Sequence, residues 1–190
     1  ERLISIQSGV PMETLEKYKH ITDKELKNRI DEAMEEIGTN KRITILTGAK
    51  SLEVVKATIN RLDPNEHTIV FIDHIGMIRG FSRSSLYEKT TEIAKTLRAM
   101  ALNHNITMIA LSQVSRGQAQ QGSKAQYNEA PTLSRLKESG EIENSARQVI
   151  FIYFKTEDNY FIHIAKNTRG EVGIDIPITF TKNTMTIRER

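Results

Sequence analysis

The 190-residue sequence has no cysteine, and none of its apolar runs approaches the roughly 20 residues that a membrane-spanning helix requires. The first absence excludes disulfides and thiolate metal sites and fits a reducing compartment such as the cytoplasm. The second predicts no membrane partner. The opening residues Glu1-Arg2-Leu3-Ile4-Ser5 do not read as a secretory leader, and they lack an initiator Met while already following a helical pattern, so a fragment is expected. There is no internal repeat and no linker long enough to divide the chain, so one domain over 1–190 is expected. A hydrophobic content of 38% and a charged content of 27% suit a folded globular chain with a sizeable core. The net charge of +3 mildly favours a polyanionic partner.

Periodicity then divides the chain. Residues 1–8 and 23–37 read as helices separated by Gly9-Val10-Pro11, with Leu26, Ile30, Ala33, Met34 and Ile37 on one face of the second. Residues 43–46 read as a short strand. Residues 51–62 read as a helix with Leu52, Val55, Ile59 and Leu62 inward. His67-Thr68-Ile69-Val70-Phe71-Ile72-Asp73 is so rich in apolar and β-branched residues that it predicts a strand buried on both faces. A loop carrying Arg79 and Arg83 follows, then a helix over 87–104 with Ile93, Leu97, Met100 and Ala101 inward. A second buried strand spans 106–111 and ends at Ser112-Gln113. Strand, crossover helix and strand make a parallel βαβ unit. Residues 114–131 are polar and rich in glycine and glutamine, as functional loops often are. Helical sequence resumes after Pro131 with Gly140 interrupting it, and strands are expected at 148–154, 160–165, 174–180 and 184–187.

The chemistry concentrates where the two parallel strands end. Ligands of open α/β sheets bind beyond the carboxyl ends of the strands, and Asp73 and Gln113 occupy those ends. A carboxylate there suits Mg²⁺, and a neutral amide suits a terminal phosphate and its attacking water. Taken singly, Asp73 is equally a turn residue, Gln113 a polar strand terminus and Lys137 a solvated helix residue.

Five blocks in order give the sequence a resemblance to a known family. They are Ile69-Val70-Phe71-Ile72-Asp73-His74, the helix from Glu92 to Ala101, Ile109-Ala110-Leu111-Ser112-Gln113-Val114-Ser115-Arg116, the run from Leu133 to Glu143, and Ile164-Ala165-Lys166-Asn167-Thr168-Arg169-Gly170. Together they resemble the motor domain of DnaB-type hexameric replicative DNA helicases over roughly residues 1–187. The resemblance implies an α/β, RecA-like P-loop NTPase core, mostly parallel, with a C-terminal antiparallel hairpin. It implies ATP or another NTP with Mg²⁺ as cofactors and translocation on single-stranded DNA. The implied partners are identical subunits in a ring, most simply a hexamer, together with primase and a helicase loader, in the cytoplasm at the replisome.

The same resemblance distributes the site residues. Asp73 matches the metal-holding Walker B aspartate and Gln113 the γ-phosphate sensor. Lys137, Glu138 and Gly140 match the loop that follows the DNA backbone, with Arg79, Arg83 and Arg116 as further lining cations. Lys166 and Arg169 match the basic pair that reaches the neighbouring subunit's ATP. Two departures stand out. The arginine follows the lysine by three positions, with Thr168 where the family places it. No Gly-x-x-x-x-Gly-Lys-Ser/Thr occurs, and Thr47-Gly48-Ala49-Lys50-Ser51 has too few glycines to cradle phosphates. The P-loop is therefore expected before residue 1, and the 190 residues alone are expected to be inactive. The alternatives are another RecA-like ATPase such as a recombinase or KaiC-type protein, a phage or mitochondrial primase–helicase, and a non-catalytic DNA-binding or assembly module.

Overall fold

The computed structural model describes residues 1–79, 85–114, 129–136, 140–156 and 158–190. Its contacts divide the chain into two compact units: residues 1–46, 154–162 and 176–190, and residues 47–153 and 163–175.

In the first unit, α1 (Arg2–Ser8) packs on α3 (Lys24–Thr39), with the short α2 (Met12–Glu16) between them in sequence. Gly9 ends α1 at φ 67°, a left-handed conformation that favours glycine. A Cβ at Gly9 would also lie 3.1 Å from the Arg29 guanidinium. Ser5 is fully buried, its hydroxyl donating to the Val10 carbonyl at 2.6 Å. Asp23 caps α3 by accepting from the Glu25 and Leu26 amides, and Ile30 and Ala33 form its buried stripe. Tyr160 packs against Phe154 and Phe180 in the same unit.

In the second unit, β1 (Ile69–Ile72) and β2 (Thr107–Ala110) pair in parallel, Ile69 opposite Thr107 and Ile72 opposite Ala110. The crossover is α5 (Leu86–Asn103), and α4 (Leu52–Ile59) precedes β1. Leu52, Ile75, Ile78, Ile93 and Leu97 form one core cluster, and Ile59, Met100 and Ile106 another. The last helix is α6 (Gly140–Ser145).

A four-stranded sheet has the order β3-β4-β5-β6, with β3 (Gln148–Thr156), β4 (Asn159–Asn167), β5 (Ile174–Thr181) and β6 (Thr186–Glu189). β5 and β6 are antiparallel. The connection from β3 to β4 is too short for a crossover, which makes that pair antiparallel too.

Three points differ from expectation. Residues 43–46 form no strand, and Ile43, Ile45 and Leu46 are exposed. A β-branched run becomes a strand only when a neighbour satisfies its backbone, and no described residue pairs with this one. β1 is not covered on both faces: Ile69 and Phe71 are 52% and 66% exposed, while Val70 and Ile72 turn inward. Ile109 and Leu111 are exposed beside β1, leaving one apolar face of this two-stranded sheet open. Finally, α2 has no counterpart in the sequence pattern, since five residues are too few to display a helical period.

Candidate phosphate site at the strand ends

β1 and β2 stop together because their registers agree. The Leu111 amide donates to the Ile72 carbonyl at 2.9 Å, and the Ile75 amide donates to the Leu111 carbonyl at 3.0 Å. Asp73 follows the last residue of β1 and is exposed, and its peptide bond to His74 is cis. A 3-10 turn over Ile75–Met77 then carries the chain away, with His74 Nδ1 accepting from the Gly76 amide at 3.2 Å. Ile75 and Ile78 anchor this turn in the core beneath α5.

Between this turn and the end of β2 lies a pocket of about 60 Å³, lined by His74, Ile75, Gly76, Thr90, Ser112, Gln113 and Ile142. By the same measure a water needs some 10–15 Å³, so the pocket takes a few waters or one small polar group. A nucleoside does not fit in it. Its floor is apolar, from Ile75 and Ile142. Thr90 is buried and its hydroxyl donates to the Leu86 carbonyl, which leaves His74, Ser112 and Gln113 to supply the free polar edge. The Ser112 hydroxyl and the Gln113 amide have no hydrogen-bond partner among the described residues.

No group of three or more His, Cys, Asp or Glu side chains suited to a metal occurs among the described residues. Asp73 is the carboxylate that directly follows β1. That suits Mg²⁺, which keeps several waters and relies on one or two carboxylates together with substrate phosphates.

The other expected site residues divide into three groups. Arg83, Arg116, Lys137 and Glu138 lie outside the described residues. Val114 bridges Leu136 in antiparallel fashion, placing the residue after Gln113 beside the residue before Lys137. Gly140, the first residue of α6, is exposed. Arg79 lies elsewhere in the unit, pairing with the turn into α4: its amide donates to the Lys50 carbonyl at 2.8 Å, and its carbonyl accepts from Leu52 at 3.2 Å. In that turn the Ser51 hydroxyl accepts from the Val54 amide and so caps α4.

Lys166 and Arg169 sit at the end of β4 and in the turn after it. The Lys166 ammonium donates to the Glu143 carbonyl of α6 at 2.5 Å. Arg98 reaches the next carbonyl, Asn144, at 3.3 Å, and Lys95 lies 3.8 Å from the Glu141 carboxylate. Cations at the carboxyl end of a helix satisfy carbonyls that have no partner within it. α6 is thereby held from α5 on one side and from β4 on the other. Arg169 is exposed, its backbone amide donating to Asn167 Oδ1 at 3.1 Å. Arg169 and Lys166 thus leave β4 in different surroundings, one towards solvent and one towards α6.

A group that the sequence did not single out lies across β3, β4 and β5. Asp175 accepts from the Tyr153 hydroxyl at 2.7 Å, and its other oxygen lies 2.7 Å from His163 Nδ1. Residues 22 and 12 positions from Asp175 meet there through strand pairing, and one-dimensional periodicity carries no trace of it.

A family model described as the DnaB-like helicase C-terminal domain matches residues 1–189. A probable plasmid replicative DNA helicase of Chlamydia trachomatis is 29% identical over 174 residues, covering 90% of this chain and 37% of the relative. The replicative DNA helicase DnaB of Rickettsia prowazekii is 38% identical over 127 residues, covering 66% of this chain and 24% of the relative. The chain thus spans about a third or less of these curated relatives. Among solved structures, a DnaB-like replicative helicase described with its primase interactions superposes with a TM-score of 0.83 at 26% identity, covering 98% of this chain and 46% of that one. A second solved structure, described as an ATPase domain, superposes with a TM-score of 0.83 at 25% identity, covering all of this chain and 69% of that one.

Proposed function

Because the chain belongs to the DnaB-like helicase C-terminal domain family, we propose that it is the larger part of the RecA-like motor of a replicative DNA helicase. In this reading the whole protein hydrolyses ATP or another NTP with Mg²⁺, moves along single-stranded DNA as a ring of identical subunits, and works at the replication fork in the cytoplasm. The observation that carries the reading is that Asp73 and Gln113 follow the carboxyl ends of two paired parallel strands, with Gln113 and the neighbour of Asp73, His74, lining a small pocket there. The matches do not favour a recombinase or KaiC-type ATPase.

Within the site, Asp73 holds Mg²⁺, which supplies charge neutralisation at the phosphates. Gln113 reads the terminal phosphoryl group, and Arg169 extends towards the nucleotide of a neighbouring subunit. Lys166, tied to α6 in its own chain, acts beside it. Lys137, Glu138 and Gly140 contact the DNA backbone, with Arg83 and Arg116 adding positive charge along the path. The open apolar face of β1 and β2 is where a phosphate-cradling segment would pack. Primase and a loader are the partners this role requires.

The DNA half of the reading is tested by Lys137→Ala in the full-length protein. Affinity for single-stranded DNA should fall for all sequences alike, and the slope of log affinity against log salt should become shallower by about 1. Unchanged affinity and slope would remove Lys137 from the DNA path.

A further inference from the structure

We propose that His74 is a third phosphate-reading residue of the strand-end site, donating from Nε2 to the terminal phosphoryl group that Gln113 also contacts. The inference rests on the triphosphate reading above and adds a residue to it.

The geometry begins with Gly76. Its amide points at His74 Nδ1 from 3.2 Å, and an amide N–H is always a donor, so Nδ1 must accept. A neutral imidazole whose Nδ1 accepts carries its proton on Nε2 and can only donate there. The ring can approach the turn so closely because residue 76 has no side chain. A Cβ at that position would fall 2.9 Å from His74 Cε1 and 3.1 Å from Nδ1, closer than such atoms pack. The turn therefore fixes both the orientation and the tautomer of the ring. Nε2 has no hydrogen-bond partner among the described residues, and His74 lines the same pocket as Ser112 and Gln113.

Three side chains with unused hydrogen-bonding capacity thus surround a cavity floored by Ile75 and Ile142. Two of them, Ser112 and Gln113, follow β2. The third follows β1, directly after the carboxylate. An N–H donor suits an anionic oxygen, and a phosphoryl group held through a metal at Asp73 would present several such oxygens beside the next residue. A site with donors from both strands grips the group that ATP has and ADP lacks.

Two conservative substitutions separate this role from that of a simple turn cap. His74→Asn keeps an acceptor at the position of Nδ1 and removes the donor at Nε2. His74→Gln keeps an amide donor near the position of Nε2 and removes the Nδ1 acceptor. Binding of Mg²⁺–ADP and of Mg²⁺ with a non-hydrolysable ATP analogue is measured by calorimetry on the full-length protein and both variants, with thermal unfolding as the check on folding. The expected result is that His74→Asn loses about tenfold in affinity for the triphosphate analogue, in keeping with one hydrogen bond to a charged group, while its ADP affinity is unchanged. His74→Gln should stay within about threefold of the parent for both ligands. Parent-like triphosphate affinity in His74→Asn would overturn the proposal, as would equal losses in both variants, because neither pattern follows Nε2. A parent protein with no preference for the triphosphate analogue over ADP would instead sink the reading of Gln113 and of the site itself.

Discussion

Asp73, His74, Ser112 and Gln113 acquire their meaning from what lies across the sheet. Asp73 and Gln113 stand out in the sequence because each ends an apolar run, and position at a strand end is legible without a structure. His74 does not stand out, because its orientation depends on a missing Cβ two residues later and the pocket it lines is shared with Ser112 and Gln113 nearly forty residues away. The same holds for the Tyr153–Asp175–His163 group, whose members come from three strands. Tyr153 is only 6% exposed, so Tyr153→Phe should cost about 1 kcal/mol in denaturant unfolding, the worth of a hydrogen bond whose loss leaves Asp175 with fewer donors. Unaltered stability would mean that water replaces the phenol without loss.

Helices with several turns are the most legible elements, because both period and punctuation mark them. α5 begins with a capping box in which the Ser85 hydroxyl accepts from the Glu88 amide while the Glu88 carboxylate accepts from the Ser85 amide and hydroxyl. Ser85→Ala should destabilise the protein by about 1 kcal/mol in chemical denaturation. The Ser85 hydrogen bonds hold the Glu88 carboxyl below its ordinary value. A group depressed in the folded state contributes stability above its unfolded pKa and loses that contribution as pH falls through the folded pKa. The difference in stability between parent and Ser85→Ala should therefore shrink on acidification, and a gap that widens in acid would contradict this assignment. Further along α5, Ile93 is 1% exposed in a cluster with Leu97, and Ile93→Ala should cost about 2–5 kcal/mol. Residues 43–46 show where such reasoning ends: alternation proposes a strand, but a strand exists only beside another, and which segments lie adjacent is not written locally.

For the molecule as a whole, the α/β class and the βαβ unit are readable, and the five ordered blocks point to the family that the match over residues 1–189 then establishes. What stays hidden is which faces of the sheet are covered, since a continuous apolar run looks the same whether both sides or one are packed. Phe71 exposes that difference directly. In the 190-residue chain it is 66% exposed, so Phe71→Ala should change stability by less than about 1 kcal/mol. In the full-length protein, where a further segment is proposed to cover this face, the same substitution should cost about 3–5 kcal/mol. Equal small effects in both would mean that the face stays open.

The central claim is that the carboxyl ends of β1 and β2 form the phosphate end of an NTP site, with Asp73 as its carboxylate. The most direct measurement is steady-state ATP hydrolysis by the full-length protein with Mg²⁺, with and without single-stranded DNA, for the parent and for Asp73→Asn. DNA-stimulated turnover is expected in the parent, with a loss of about 10²–10³-fold in Asp73→Asn and the fold intact by thermal unfolding. Parent-like turnover in Asp73→Asn would contradict it.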